Sequence, residues 1–221
     1  MARSCGWHAV LLDAGSVPVS ELSLLKISEK PSWRAQLQNA YRSPESLASA
    51  LGLDLEDLPY SVASARQFPL LVPQAFVDRI RPGDKHDPLL RQVLATVEAE
   101  QYRDGFTADP VGEDSLYAGE PGLLQKYQGR ALLVTTSQCA VNCRYCFRRH
   151  YPYSDNRNSS GERREILNQL LDDPSLKEIL LSGGDPLVLP DRQLAEITEQ
   201  IAVHRSDVIL RIHTRLPIVI P

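Results

Sequence analysis

The chain has no long apolar run and no excess of positive charge. It carries 28 acidic against 24 basic side chains in 221 residues, a formal net charge of −4, whereas a nucleic-acid-binding surface is typically basic. A transmembrane helix needs about 18 or more consecutive apolar residues, and no such stretch occurs. The apolar stretch at residues 8–12 is too short for the core of a signal peptide. These absences predict a cytoplasmic protein that binds neither nucleic acid nor membrane.

Cysteine is scarce and unevenly placed. Of four cysteines, Cys139, Cys143 and Cys146 lie within eight residues, while Cys5 stands alone near the start. Clustered thiols in a reducing compartment favour a metal or cluster site over disulfides. We interpret Cys5 as a free thiol.

The first 105 residues are predicted to form a helical region. Pro31–Tyr41 has a helical pattern, and Ser43-Pro44 is typical of a helix start. Two more helices are predicted, from Pro73 to just before Pro82 and from Asp87 to about Tyr102. The stretch 103–121 is rich in glycine and proline and predicts a connecting loop.

Residues 106–221 follow a different pattern, in which strands alternate with helices. The predicted elements, in chain order, are a strand at Ala131–Thr136, a helix at Glu162–Leu171, a strand at Glu178–Leu181, a helix at Asp191–His204 and a strand at Val208–His213. Such alternation predicts an α/β fold with a parallel sheet. Three units do not close a barrel, so we predict the first part of a (β/α) barrel and expect the chain to be the N-terminal part of a longer protein.

The three clustered cysteines form a C-x3-C-x2-C motif directly after the first predicted strand. Three thiolates can hold three irons of a [4Fe–4S] cluster and leave the fourth iron without a protein ligand. The amino and carboxylate groups of S-adenosylmethionine can fill that open position. The spacing is therefore typical of radical S-adenosylmethionine (SAM) enzymes, with Cys139, Cys143 and Cys146 as the cluster ligands.

Two other interpretations of the cysteines remain open. Cys139, Cys143, Cys146 and His150 form a Cys3His array that zinc also accepts. The spacing is tight for a small zinc finger, and a finger does not need a βα ladder after it. The second alternative is a set of buried structural thiols.

A glycine-rich turn and several basic residues are further candidates. Gly183, Gly184 and Asp185 follow the second strand on the face predicted to carry the cysteines, and we predict that this turn holds the aminoacyl end of SAM. The alternative is an ordinary tight turn capped by Asp185.

Three cations are candidate anion ligands. Arg148 lies beside the cysteines and is suited to a carboxylate or phosphate. Arg130 and Lys126 precede the first predicted strand and are equally compatible with an anionic ligand or a plain surface charge. His213, in the third strand, receives no predicted role.

Several blocks of the chain resemble the lysine 2,3-aminomutase family. They are CAVNCRYCFRRHYPY at 139–153, LSGGDPL at 181–187 and RIHTRLPIVIP at 211–221, with shorter pieces at 86–89, 108–111 and 120–124. The resemblance covers about Pro73 to Pro221. Phe147, the HYPY run at 150–153 and the N-terminal segment with Trp33 are most similar to the branch that acts with bacterial elongation factor P.

The resemblance implies a function and a set of cofactors. The implied reaction converts L-α-lysine to (R)-β-lysine with a [4Fe–4S] cluster, SAM and pyridoxal 5′-phosphate (PLP). A separate ligase would attach the product to a lysine of elongation factor P. Family members self-associate, which implies a homo-oligomer.

The resemblance also implies residue roles. Arg148 would bind the substrate carboxylate, and Gly183, Gly184 and Asp185 would hold SAM. Arg130 and Lys126 would contact PLP, with Lys126 at a position where the family commonly has arginine.

Two parts of the family's active site have no counterpart in this chain. The lysine that carries PLP and the acidic residues that recognise the distal amine of the substrate lie beyond residue 221 in the family. We therefore expect this chain alone not to complete the reaction. Another substrate, such as glutamate or ornithine, remains open.

Overall fold

A computed structural model describes residues 31–67, 69–97, 104–113, 116, 121–153 and 159–221. The interpretation of Cys5 lies outside these residues. In the described part of the chain, no helix combines the length and the apolarity that crossing a bilayer requires.

A four-stranded sheet forms the centre of the C-terminal half. Its strands are β1 (Leu123–Tyr127), β2 (Arg130–Thr136), β3 (Glu178–Gly183) and β4 (Ile209–Ile212), in the order β1-β2-β3-β4. β2, β3 and β4 are parallel, which confirms the predicted α/β class and its three strands. The sheet is open, as expected for part of a barrel.

β1 was not predicted. It pairs antiparallel with β2 through a tight turn at Gln128-Gly129, where Gly129 has a φ of 74°. Glycine adopts this left-handed conformation without a steric penalty. The sheet therefore begins with a hairpin before the parallel strands.

Two long helices cover one face of the sheet. α6 (Ser160–Leu171) begins with a capping box, in which the Ser159 side chain and the Glu162 side chain each bond the backbone N–H of the other residue. α7 (Asp191–His204) has the predicted bounds. The helices and the sheet share a buried apolar core whose largest members include Leu133, Leu167, Leu176, Ile179 and Leu181.

The N-terminal region contains short helices. They are α1 (Trp33–Gln38), α2 (Pro44–Ala50), α3 (Val62–Gln67), α4 (Gln74–Val77) and α5 (Leu90–Val93), and a last short helix, α8 (Leu216–Val219), follows β4. Ser43 caps α2 with Pro44 at its start, as predicted.

The predicted helix from Asp87 to Tyr102 is wrong in its described part. α5 ends at Val93, and Leu94 is extended. The next residues pair instead with a neighbouring segment, because Ser61 N–H donates to Ala95 O (3.0 Å) and Val97 N–H donates to Pro59 O (3.1 Å). Tertiary pairing thus overrides the local helical pattern, and residues 98–102 lie outside the described residues.

The helical region packs directly on the loop that carries the cysteines. Its core, which includes Leu47, Leu51 and Leu90, also contains Ala140 and Val141. Residues from Ser32 to Pro221 belong to one compact unit. The N-terminal helices therefore pack against the cysteine loop through Ala140 and Val141. The division into two domains near residue 105 stays a prediction.

The loops after β2 and β3 are in close backbone contact. Gly184 N–H donates to Thr136 O, and Asp185 N–H donates to Gln138 O, each at 2.7 Å. A Cβ at Gly184 would overlap the backbone of Gln138. The absence of a side chain at Gly184 is therefore what allows the two loops to meet immediately before Cys139.

We predict that Gly184→Ala destabilises the fold by about 1–3 kcal/mol, because backbone atoms must move to admit the methyl group. Gly161→Ala is the matched control, since a Cβ there meets only Ser159 Oγ at 3.9 Å in helix α6. The control is expected to gain about 0.5–1 kcal/mol from helix propensity. Urea unfolding followed by circular dichroism measures the free energy of unfolding of both variants. Equal stability of the two variants would contradict the close approach of Gly184 to the backbone of Gln138.

Candidate functional site

The ends of β2, β3 and β4 meet at a cavity of about 840 Å³. The carboxyl-terminal edge of parallel strands is where ligand sites form in α/β folds. Predicted site residues in its lining are Cys139, Cys143, Cys146, Arg148, Gly183, Gly184, Asp185 and Lys126. The fold thus brings together eight of the nine predicted residues.

The three cysteines are partly buried free thiols in this cavity. Burial raises the pKa of Cys139 to about 12, and the nearby Cys146, Cys143 and Asp185 add to the effect. Burial also raises the pKa of Cys143, against the opposing effect of Arg215. Because metal coordination deprotonates a thiol, these raised pKa values do not prevent the three thiols from acting as cluster ligands.

Arg215 is a site residue that was not predicted from the sequence. Its guanidinium donates a hydrogen bond to Cys143 Sγ through NH1 and another to Gln92 Oε1 through NH2 (3.3 Å). It also lies over the ring of Tyr145, with 5.5 Å from Cζ to the ring centroid. Two signals were available: its position just after the third strand, at the edge that carries the site, and its place in the block at 211–221 that resembles the family.

Asp185 fixes Arg215 in place. The Asp185 carboxylate is buried and accepts hydrogen bonds from Thr214 Oγ1 (2.6 Å) and from the N–H groups of Arg215 (2.7 Å), Leu216 (2.9 Å) and Leu187 (3.0 Å). Three of the four donors are backbone N–H groups, and the fourth is the hydroxyl of Thr214. In this arrangement the carboxylate joins the loop after β3 to the segment after β4.

Arg148 is buried against the sheet and paired with Glu113. Arg148 Nε donates to Glu113 Oε2 (3.0 Å), NH2 donates to Oε1 (2.7 Å), and NH1 donates to Ser182 Oγ (3.1 Å). The guanidinium also stacks on Phe147, 4.5 Å from the ring centroid. Glu113 lies in the predicted glycine- and proline-rich loop, where no local pattern marked it as a site residue.

Of the predicted basic residues, Lys126 lies in the cavity and Arg130 lies outside it. Lys126, on β1, lines the cavity and donates a hydrogen bond to Val111 O. Arg130 is outside the lining. It begins β2, about 20 Å along the strand from its far end, and pairs there with the buried Glu178 (2.8 Å). The structure therefore does not bring Arg130 to the cysteines, because the residue starts the strand that the cysteines follow.

Chain packing requires glycine at positions 183 and 184, independently of the predicted role of this turn in binding SAM. Gly183 has a φ of 106°, and a Cβ there would lie 2.7 Å from Thr136 O. Both glycines thus permit contact between two loops of the chain. Binding of SAM by this turn stays a prediction.

Within the described residues, no three histidine, cysteine, aspartate or glutamate side chains are grouped to hold one metal ion. A [4Fe–4S] cubane does not need such a group, because it places each thiolate on a different iron. His150, the fourth member of the alternative zinc array, is exposed and lies outside the cavity lining.

Comparison with known proteins agrees with this geometry. Residues 133–219, which span most of β2 through α8, match the Radical SAM superfamily. Such a domain implies a [4Fe–4S] cluster and SAM. The matched region contains the cysteine loop, the Gly183-Gly184 turn and Arg215.

Relatives in three bacteria carry the description L-lysine 2,3-aminomutase. The chain is 40% identical to the one in Escherichia coli (strain K12) over 204 residues, 92% of this chain and 59% of the relative. It is 40% identical to the one in Haemophilus influenzae over 195 residues (88% and 57%). For Buchnera aphidicola the identity is 36% over 198 residues (89% and 58%).

The chain therefore spans less than two thirds of the length of these relatives, while they match about nine tenths of the chain. The matches include the N-terminal helical region as well as the sheet. Residues 133–219 belong to the Radical SAM superfamily, and over about nine tenths of its length the chain is a homologue of the L-lysine 2,3-aminomutases.

Proposed function

We propose that the protein to which this chain belongs converts L-α-lysine to (R)-β-lysine by a radical SAM and PLP-dependent 2,3-amino migration. The observation that carries the proposal is one cavity lined by Cys139, Cys143, Cys146 and Arg148. When bound, the cluster and SAM supply one-electron chemistry that generates a carbon radical, and PLP supplies the carrier of the migrating amine. The chain's own residues hold, orient and shield these groups.

The cysteine loop would hold the cluster and keep water away from it. Three thiols come from one eight-residue segment, which leaves one iron of a cubane open to SAM. Ala140, Val141, Leu132 and Ile212 provide apolar surface in the same cavity. Exclusion of water protects reactive intermediates from side reactions.

Arg148 would bind the substrate carboxylate. A guanidinium has five N–H donors, and Glu113 and Ser182 use three of them. Two N–H groups remain, one on NH1 and one on NH2, for a further carboxylate. Glu113 balances the charge of the buried arginine and fixes its plane, which makes Glu113 a positioning residue.

The turn at Gly183-Gly184 would contact the aminoacyl end of SAM through its backbone. The side chain of Asp185 already accepts four hydrogen bonds. Its contribution to SAM binding is therefore to position the turn. Lys126, the cation on β1 in the cavity lining, is the residue of this chain that would meet the phosphate of PLP.

We also propose that the product serves the modification of elongation factor P by a separate ligase. The support is the resemblance carried by Phe147, the HYPY run at 150–153 and Trp33. Elongation factor P from cells with and without this protein is compared by mass spectrometry. The β-lysyl increment is expected only with the protein, and its presence in both samples would contradict the link.

Each of the substitutions Cys139→Ala, Cys143→Ala and Cys146→Ala is expected to abolish a stable [4Fe–4S] cluster. Anaerobic reconstitution of the full chain with iron and sulfide should give a brown protein with about four irons. Iron and zinc analysis together with electron paramagnetic resonance of the reduced protein measures the result.

Cys5→Ala is the matched control and should keep the full iron content. A colourless protein that binds one zinc would support the Cys3His alternative and contradict the cluster. Loss of iron in Cys5→Ala equal to that in the other variants would contradict the assignment of the three ligands.

The competence of this chain's part of the site is tested in a hybrid, because the chain matches only part of its relatives. In the hybrid, this chain replaces the matching segment of the E. coli relative. We expect a β-amino acid product from L-lysine and none from L-glutamate or L-ornithine, measured by mass spectrometry after anaerobic incubation with SAM, PLP and dithionite.

Two controls make that result interpretable. The intact E. coli relative shows that the assay works, and the hybrid with Cys139→Ala shows that the product depends on the cluster. A hybrid that binds the cluster but gives no β-amino acid would contradict the proposed role of this chain in 2,3-amino migration. The substrate itself is tested with the protein to which this chain belongs, because the residues expected to recognise the distal amine lie beyond residue 221. In that protein, reaction of glutamate or ornithine instead of lysine would contradict the proposed substrate.

A further inference from the structure

Arg215 is the arginine of the cysteine cavity that the proposed function leaves without a role. It lines the cavity together with Arg148. Arg148 is paired with the carboxylate of Glu113. The guanidinium of Arg215 instead donates one hydrogen bond to Cys143 Sγ and another to the amide oxygen of Gln92. Its positive charge therefore lies directly beside the sulfur of a predicted cluster ligand.

Three further contacts hold the partly buried Arg215 in place. Its NH2 donates to Gln92 Oε1 (3.3 Å), and its Cζ lies 5.5 Å from the centroid of the Tyr145 ring. Its backbone N–H donates to the carboxylate of Asp185 (2.7 Å). These partners belong to helix α5, to the cysteine loop and to the loop after β3. The position of the guanidinium is thus fixed by three separate segments of the chain.

Gln92 connects the N-terminal helical region to the cysteine loop through both its backbone and its side chain. Its backbone O accepts a hydrogen bond from Arg144 N–H (2.7 Å). Its side-chain Oε1 accepts hydrogen bonds from Arg215 NH2 and from the Tyr145 hydroxyl, each at 3.3 Å. Gln92 precedes residues 133–219, which match the Radical SAM superfamily. A residue outside the matched domain therefore orients an arginine inside it.

A hydrogen-bond donor with a positive charge beside a cluster sulfur favours the reduced cluster. The reduction potential of an iron–sulfur cluster depends on its net charge and on the hydrogen bonds to its sulfurs. Reduction takes one electron from an external donor, such as dithionite, and adds one negative charge, while no bond forms or breaks and no proton moves. A guanidinium is permanently charged, and it attracts the more negative, reduced cluster more strongly than the oxidised one.

We propose that Arg215 raises the reduction potential of the cluster through its hydrogen bond to Cys143 Sγ, and that Gln92 is the positioning residue that holds the guanidinium there. The inference rests on the proposed function, because it concerns the cluster that the three cysteines would hold. Its role is electronic, since the thiolates bind the irons without it. Replacing the Arg215 side chain leaves the bonds of Asp185 to the backbone N–H groups of residues 215 and 216 possible.

Potentiometric titration of the reconstituted full chain, followed by electron paramagnetic resonance, measures the reduction potential. SAM is left out, so that altered SAM binding does not contribute. Arg215→Met should lower the equilibrium constant for reduction about tenfold, the effect of losing one charge-assisted hydrogen bond, which is about 59 mV for a one-electron couple. Arg215→Lys keeps the charge and should recover part of this shift.

Arg211→Met is the matched control, since it changes the net charge equally. Arg211 lies on β4 and pairs with Glu178, which begins β3 at the end opposite the cavity. Glu178 keeps Arg130 as a partner in this variant. The potential of Arg211→Met is expected to equal that of the wild-type chain.

Gln92→Ala gives a second, independent readout. It should lower the potential less than Arg215→Met does, and it should add no shift in the Arg215→Met background, because Gln92 acts through Arg215. Equal shifts in both backgrounds would contradict the positioning role.

The iron content separates this inference from the proposed function. All of these variants should bind as much iron as the wild-type chain. An unchanged potential in Arg215→Met, or a lower iron content in that variant, would overturn the inference and leave the proposed function standing. A wild-type chain that binds no cluster would overturn both.

Discussion

The hydrogen bonding of Asp185 is the constraint on which the site depends. One buried carboxylate accepts bonds from its own loop and from three consecutive residues after β4. Those bonds place Arg215 where its guanidinium reaches Cys143. The other connections between these segments are a backbone bond from His213 N–H to Leu181 O (3.0 Å) and apolar packing of Leu187 in the cluster that contains Leu216, so the Asp185 carboxylate supplies most of the described polar contacts between them.

Two arginines beside the cysteines have different partners. Arg148 is paired with the carboxylate of Glu113, whereas the guanidinium of Arg215 donates hydrogen bonds to Cys143 Sγ and Gln92 Oε1. Each arginine also stacks on an aromatic side chain of the cysteine loop, Phe147 or Tyr145. A cluster ligated by thiolates brings negative charge into this cavity, so cations beside it stabilise the occupied state.

Local patterns predicted most of the sheet and the cysteine loop, because both depend on short-range sequence. Helix α7 has the predicted bounds, and the cysteines lie at the expected edge of the sheet. The contacts that complete the site join distant residues, Arg148 with Glu113 across 35 positions and Arg215 with Cys143 across 72. No periodicity or spacing encodes such pairs. The same reason explains why α5 ends early, since the residues after it pair with a segment more than 30 positions away. The position of Arg130 has a local cause, because it begins the strand that the cysteines follow.

The central claim is that three cysteines of one loop hold a cluster with one iron left open for SAM. Mössbauer spectroscopy of the reconstituted full chain, enriched in iron-57, tests it most directly. We expect the addition of SAM to change the signal of one iron site and leave the signal of the other irons unchanged. An iron signal that is identical with and without SAM would contradict the account.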